Sequence, residues 1–206
     1  MKYADEYLYH IYNRGAHKAK LFWCKRHFEF CRDSLIKNAE KHGVSLLAYC
    51  LMPNHYHLLM RQEQETSLSK FLQATFIAYT QFVNTREGHS GTLFQGRAQS
   101  RRIDSDDYAI IATRYIHLNP VLAHLVHQPE EWEYSDCKEW IASNPYAGQN
   151  PMQRKKFEFR RHYFSSGIEY QRFIAEHFDK QEFQQCIELY EGDSSSLSST
   201  FVKCLI

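Results

Sequence analysis

The run Val44-Ser45-Leu46-Leu47-Ala48-Tyr49-Cys50-Leu51-Met52 contains no charged residue, halts at Pro53-Asn54 and resumes as His55-Tyr56-His57-Leu58-Leu59-Met60. The first run reads as a buried strand, and two strands joined by so short a turn predict an antiparallel hairpin. Upstream, Tyr7-Leu8-Tyr9-His10-Ile11-Tyr12-Asn13 is rich in aromatic and β-branched residues and runs into Asn13-Arg14-Gly15, a strand entering a loop. Between them Phe28, Cys31, Leu35 and Ala39 recur at steps of three or four, which predicts a helix from about Lys25 to Lys41, ended by Gly43. After the hairpin, Leu68, Phe71, Leu72, Phe76, Tyr79 and Val83 share one helical face from Leu68 to Arg86, with Thr66 or Ser67 as the cap. A further strand with a Gly interruption is expected from Leu93 through Ile103. Ser105-Asp106-Asp107 then opens a third helix that should run to about Asn119-Pro120, because a capping hydroxyl and two first-turn carboxylates suit a helix N-terminus. The order is β-α-β-β-α-β and a helix, which predicts an α+β chain with a ferredoxin-like antiparallel sheet and helices on its faces.

Beyond about Leu125 the pattern changes. Two helices are expected near 168–178 and 180–191, the second ended by Gly192, so residues 126–206 read as a mainly helical C-terminal extension to a domain of residues 1–125. A serine-rich stretch from Ser194 to Ser199 leads to the apolar Phe201 to Leu205, a flexible or docking tail from about residue 193. Residues 153–163 carry Arg154, Lys155, Lys156, Arg160 and Arg161 against the single acidic Glu158, a local basic face.

Composition excludes several classes. With 43% hydrophobic residues and only 8 Gly and 5 Pro the chain is globular rather than disordered or collagenous. No apolar run approaches the roughly 18 residues that span a bilayer, and the first residues lack the apolar core of a secretory signal. A cytoplasmic protein is therefore expected, with no membrane partner. The six cysteines at positions 24, 31, 50, 137, 186 and 204 form no C-x-x-C pair and read as reduced thiols used as small hydrophobes. The net charge of +1 conceals an asymmetry: residues 1–102 hold 15 Lys and Arg against 8 Asp and Glu, and the remainder is acidic. The basic half is a candidate for a polyanionic partner.

Two clusters carry chemistry. Side chains alternate across a strand, so His55 and His57 project from the same face with the spacing of two imidazole ligands to one metal ion. A third ligand must come from elsewhere, and a strand pair of histidines is also an ordinary surface or cross-strand feature. On a helix, Tyr115 and Asn119 lie four residues apart and share a face, while His117 points the other way. The bland alternatives are a partly buried core tyrosine and a helix terminator before Pro120.

Pro53-Asn54-His55-Tyr56-His57-Leu58-Leu59, then Gly91-Thr92-Leu93-Phe94-Gln95-Gly96-Arg97, then Arg114-Tyr115-Ile116-His117-Leu118-Asn119-Pro120-Val121 resemble, in order and spacing, the successive motifs of the IS200-like tyrosine transposases. These are the single-tyrosine (Y1) members of the HUH endonucleases. Within that group the likeness is strongest to the REP-associated tyrosine transposases, with their Tyr-Ile-x-x-Asn-Pro, and Asn13-Arg14-Gly15 also matches. The resemblance covers residues 7 to about 126. It implies an HUH-type catalytic domain in which His55, His57 and Asn119 hold a divalent ion, Mg²⁺ or Mn²⁺. Oxygen and imidazole donors with open positions suit those ions better than a closed zinc site does. It further implies that Tyr115 attacks a phosphodiester, giving a 5′-phosphotyrosine and a free 3′-hydroxyl, so that rejoining needs no ATP. A phenol with an ordinary pKa of about 10 needs help to ionise near neutrality.

The resemblance also implies a partner, single-stranded DNA with hairpin structure of the REP type, and a location with the nucleoid. Arg97, Arg101 and Arg102, together with Asn13, Arg14, Lys18 and Lys20 near the first strand, are the candidate DNA-binding residues. Exposed Tyr or Phe could stack on unpaired bases. The expected activity is that of a metal-dependent single-stranded DNA endonuclease and strand transferase. The alternative is a non-catalytic hairpin-binding protein on the same scaffold. Monomer and homodimer are both open.

Overall fold

The structure, a computed structural model, describes residues 7–63, 67–143 and 151–176. The hairpin forms as the sequence predicts: β2 (Val44–Met52) turns at Pro53-Asn54 into β3 (His55–Gln62). With β1 (Leu8–Arg14) and β4 (Gln99–Ile103) they make one antiparallel sheet of order β2-β3-β1-β4, the ferredoxin-like arrangement. The edge of β2 away from β3 is covered by residues 134–136, since Leu51 donates to the Tyr134 carbonyl at 2.9 Å and Asp136 to that of Tyr49 at 3.3 Å.

Helices lie on both faces. α1 (Lys25–His42) and α2 (Ser67–Glu87) cover one, burying Ile11, Leu46, Leu58 and Met60 against Phe28, Leu35, Phe71 and Tyr79. The other is covered by α3 (Asp106–Leu122), α4 (Cys137–Ile141), α5 (Pro151–Tyr163) and α6 (Gly167–Ala175), which bury Leu47, Cys50, Met52 and Leu59 against Ile116, Trp140, Phe159 and Tyr170. Every residue of β2 is buried, as a strand with both faces covered must be. A register shift between Leu46 and Ala48 interrupts β2, and the Leu47 carbonyl there accepts from Trp140 Nε1 at 3.1 Å.

Several expectations shift at their edges. The Gly43 cap is in the left-handed region at φ 60 and donates to the Ala39 and Glu40 carbonyls, as a helix-ending glycine does. At the start of α2, Ser67 is the first helical residue and the Leu68 amide donates to Gln62 Oε1 at 3.1 Å; Thr66 lies outside the described residues. Of the long strand expected from Leu93 to Ile103 only β4 is a strand; Phe94 makes a single bridge to Gly15. Ser105 caps α3 by accepting from Tyr108, but α3 continues through Pro120 to Leu122. Proline lacks an amide for the preceding turn, and here the helix passes it, with the Asn119 carbonyl accepting from Ala123 at 3.0 Å.

The basic run of α5 is not wholly a surface feature. Lys156 and Arg160 are buried, Lys156 pairing with Asp136 at 2.7 Å and Glu139 at 2.8 Å, and Arg160 donating to the carbonyls of Trp140 and Ala142. Cys31, Cys50 and Cys137 are buried free thiols and Cys24 is an exposed one. The helix expected near 180–191, the tail from 193, and Cys186 and Cys204 lie outside the described residues. Among the described residues no helix is long and apolar enough to cross a membrane.

Candidate active site

Strand parity and register build the site on the α3 face of the sheet. β3 turns His55 and His57 to that face, β1 turns His10 and Tyr12 to it, and Tyr12 pairs directly with His57. α3 crosses above them with Tyr115 and Asn119 one turn apart on its underside. Tyr115 Oη lies 3.5 Å from His57 Nε2, and Asn119 Oδ1 lies 3.1 Å from His55 Nε2. The Asn119 amide nitrogen donates back to the Tyr115 carbonyl at 3.3 Å, which leaves Oδ1 turned toward His55. His117, on the opposite side of α3, is fully buried between Tyr170 Oη at 2.5 Å and Asp136 Oδ1 at 3.0 Å.

A cavity of about 590 Å³ opens over these groups, lined by Tyr12, His55, His57 and Tyr115 and rimmed by Arg14, Lys18 and Arg97. Among the described residues no carboxylate lines it, so its potential favours an anion such as a phosphodiester. The rim is held by the meeting of three sequence motifs. Gly15 donates to the Asn54 carbonyl at 2.8 Å, Gln95 donates to that of Arg14 at 2.9 Å, and Asn13 Nδ2 donates to that of Gly96 at 3.0 Å. The Arg14 guanidinium also bonds Gln95. A Cβ on Gly15 would stand 2.0 Å from the Ala19 carbonyl oxygen, so only glycine lets the 15–19 turn close. That turn carries Lys18 at φ 60, a left-handed conformation that non-glycine residues seldom adopt.

Burial governs the histidines. It lowers the pKa of His10 to about 3, with Arg101 adding to the effect. Burial, reinforced by His55 and His10, holds His57 well below the ordinary value. Burial also lowers His55, opposed by its hydrogen bond with Asn119. All three rings are therefore neutral at pH 7, the form in which imidazole offers a lone pair to a metal. His55 Nδ1 faces Asn54 Oδ1 at 2.7 Å while Nε2 faces Asn119 Oδ1. A neutral ring has one N–H for these two oxygens, so with the amides so oriented one lone pair is left opposed to an oxygen; a cation among His55 Nε2, His57 Nε2 and Asn119 Oδ1 relieves that conflict. The donor set fits a divalent ion that keeps open positions for water and phosphate oxygen. Among the described residues no three His, Cys, Asp or Glu side chains gather as a closed metal centre.

Other residues singled out in the sequence lie farther out. Lys20 is exposed and outside the cavity lining. Arg101 pairs with His10 across β1 and β4 and so belongs to the same face of the sheet. Arg102 turns to the other face, pairs with Asp104 at 2.6 Å and lies 4.7 Å over the Tyr7 ring. The sequence reading did not single out His10, Tyr12, Asn54 or Gln95. His10 and Tyr12 alternate along β1, so their common face was legible; its meeting with the His55-His57 face depends on strand pairing.

The chain belongs to the IS200-like transposases: the family model described as "Transposase IS200 like" matches residues 4–119, more than half of it. Among solved structures, it is similar to a REP-associated tyrosine transposase bound to a REP hairpin, with a TM-score of 0.54 and 17% identity over 74% of this chain and 87% of that one. A Deinococcus radiodurans protein assigned as a transposase aligns more loosely, with a TM-score of 0.41 and 18% identity over 55% of this chain and 91% of that one. No curated protein matches the chain significantly. The resemblance read from the motifs and the α+β fold expected from the element order both hold.

Proposed function

We propose that the protein is a divalent-cation-dependent single-stranded DNA endonuclease and strand transferase that acts on REP-type hairpins through Tyr115. The observation that carries this reading is the placement of the Tyr115 hydroxyl 3.5 Å from His57 Nε2, beside the His55 and Asn119 pair, in a cavity with a basic rim. The hairpin-bound REP-associated relative, which shares the fold, supports the choice of substrate.

Arg14, Lys18 and Arg97 hold the DNA backbone at the cavity mouth, and their charge, unopposed by any lining carboxylate among the described residues, concentrates the anionic strand there. Tyr12, in the cavity wall, is the aromatic side chain nearest at hand for stacking with an unpaired base. α3 holds the Tyr115 Oη over the scissile phosphate. As the Oη–P bond forms, the phenol loses its proton and the P–O3′ bond breaks, and the departing 3′-oxygen takes up a proton. The product is a 5′-phosphotyrosine and a free 3′-hydroxyl. Attack of another 3′-hydroxyl on that phosphotyrosine reverses the step and joins the strands, returning the phenol. His55, His57 and Asn119 would hold the ion, which when bound supplies Lewis-acid polarisation of the phosphate and stabilises charge on the leaving oxygen.

The test is a covalent-adduct assay. Labelled single-stranded hairpins from the DNA around the gene are incubated with the full chain and Mg²⁺ or Mn²⁺ and run on a denaturing gel, beside Tyr115→Phe and a His55→Ala, His57→Ala double variant. A metal-dependent protein-linked band that both variants lose is expected. Tight hairpin binding with neither adduct nor cleavage would replace this reading with that of a non-catalytic hairpin-binding protein.

A further inference from the structure

We infer that His10 is a positioning residue that accepts the Nδ1–H of His57 and so keeps the Nε2 lone pair of His57 turned toward Tyr115. The inference rests on the reading of His55, His57 and Asn119 as a cation site. His10 Nε2 lies 3.0 Å from His57 Nδ1, and the two rings stack with centroids 5.2 Å apart and planes inclined by 23°. His10 is 1% exposed and His57 3% exposed, so this contact is made out of water. The register pairs His57 with Tyr12 and His10 with Leu59, so the two histidines are diagonal neighbours across β1 and β3, fixed by the backbone ladder rather than by a mobile loop.

A hydrogen bond between two ring nitrogens carries one proton, and which ring owns it decides what His57 can do. When His57 donates from Nδ1, its Nε2 is a bare lone pair that can ligate a cation or accept from the Tyr115 hydroxyl. When His10 donates, His57 carries its proton on Nε2 and can do neither. The first state gives the His57 Nδ1–H, in the core beneath the cavity, an acceptor in His10 Nε2, and it requires neutral His10 to carry its own proton on the buried Nδ1. His10 is not among the residues that line the cavity; besides its hydrogen bond with His57 it packs edge-on against the Tyr115 ring, centroids 5.9 Å apart, a contact that carries no proton. This is the relation by which an outer partner fixes the tautomer and orientation of a ligating imidazole.

The experiment compares the full-length wild type with His10→Leu, which removes the acceptor, and His10→Gln, which restores a side-chain carbonyl oxygen. Two readouts are taken without DNA: Mn²⁺ affinity by titration calorimetry, and the His57 tautomer by long-range ¹H–¹⁵N NMR of histidine-labelled, metal-free protein. Wild type should show His57 protonated at Nδ1. His10→Leu should lose that tautomer and bind Mn²⁺ roughly 10- to 100-fold more weakly, whereas His10→Gln keeps the tautomer and most of the affinity. Undiminished Mn²⁺ binding by His10→Leu, or a wild-type His57 protonated at Nε2, overturns the inference. A wild type that binds no Mn²⁺ sinks the cation reading on its own account. The tautomer comparison then still decides the role of His10, since retention of the Nδ1-protonated form in His10→Leu overturns it and loss of that form supports it. Should His10→Leu fail to fold, His10→Gln decides: a kept tautomer supports the inference and a lost one overturns it.

Discussion

The charge state of His10, His55 and His57 follows from where β1 and β3 bury them, and it makes the fold acid-sensitive in a definite direction. Burial, with Arg101, brings His10 to about 3, and burial lowers the other two as well. An unfolded histidine takes up a proton at about 6.5. Below that pH the unfolded chain binds protons that the folded site refuses, so stability is fully present above about 6.5 and is lost as pH falls toward 3. Thermal melts at a series of pH values from 7.5 to 4 should show this loss, and His10→Gln should make it shallower; identical pH dependence in the two proteins would remove His10 as a cause. Arg97, at the cavity rim, belongs to the proposed DNA contact. Arg97→Ala should weaken hairpin binding to all sequences alike and reduce the slope of log affinity against log salt by about 0.7 for a single-stranded contact, measured by fluorescence anisotropy. At this scale the His55 and His57 pair was legible from the two-residue period, and Tyr115 with Asn119 from the four-residue step. Arg102 was indistinguishable from Arg101 in composition, yet the pleat sends them to opposite faces.

Elements place these residues through their ends. The β1 end, the hairpin turn and the 91–97 segment meet where Gly15 bonds Asn54 and Gln95 bonds Arg14, and the Ala19 carbonyl fills the space a side chain at position 15 would need. Gly15→Ala should therefore force the 15–19 turn open, cost about 1–3 kcal/mol by overpacking in urea unfolding, and displace Lys18 from the cavity. Hairpin affinity should fall with it; wild-type stability and affinity together would show that the turn yields freely. α3 shows how an element can outrun its sequence signals. Asn119-Pro120 reads as a stop, but the helix continues to Leu122, with Ile116, Leu118 and Pro120 buried. Burial of that turn outweighs the local preference of proline, and it keeps Asn119 helical and in line with Tyr115.

Across the molecule, the side of α3 opposite Tyr115 and Asn119 is tied through His117 to the C-terminal helices by charges that the sequence presents as a surface. Asp136 sits wholly buried; burial alone would raise its carboxyl, but Lys156 and His117 outweigh that and hold it at about 2. Lys156, in turn, is held above its usual range by Asp136 and Glu139 against the cost of burial. Lys156→Met leaves that carboxylate without its cation and should destabilise the fold by about 3–5 kcal/mol, read by urea denaturation; a loss under about 1 kcal/mol would mean that His117 and the Tyr49 amide suffice. The order of strands and helices, the hairpin, the Ser105 cap and the family motifs were all written in local patterns, because side-chain period, turn chemistry and capping act over a few residues. Strand register and helix docking join residues tens of positions apart, such as His10 with His57 or Lys156 with Asp136, and no local pattern reports them. Those pairings set which basic residues face the cavity, which are buried as counter-ions, and which histidine stands behind His57; packing of the whole chain chose them, because a buried proton or charge is tolerated only beside its partner.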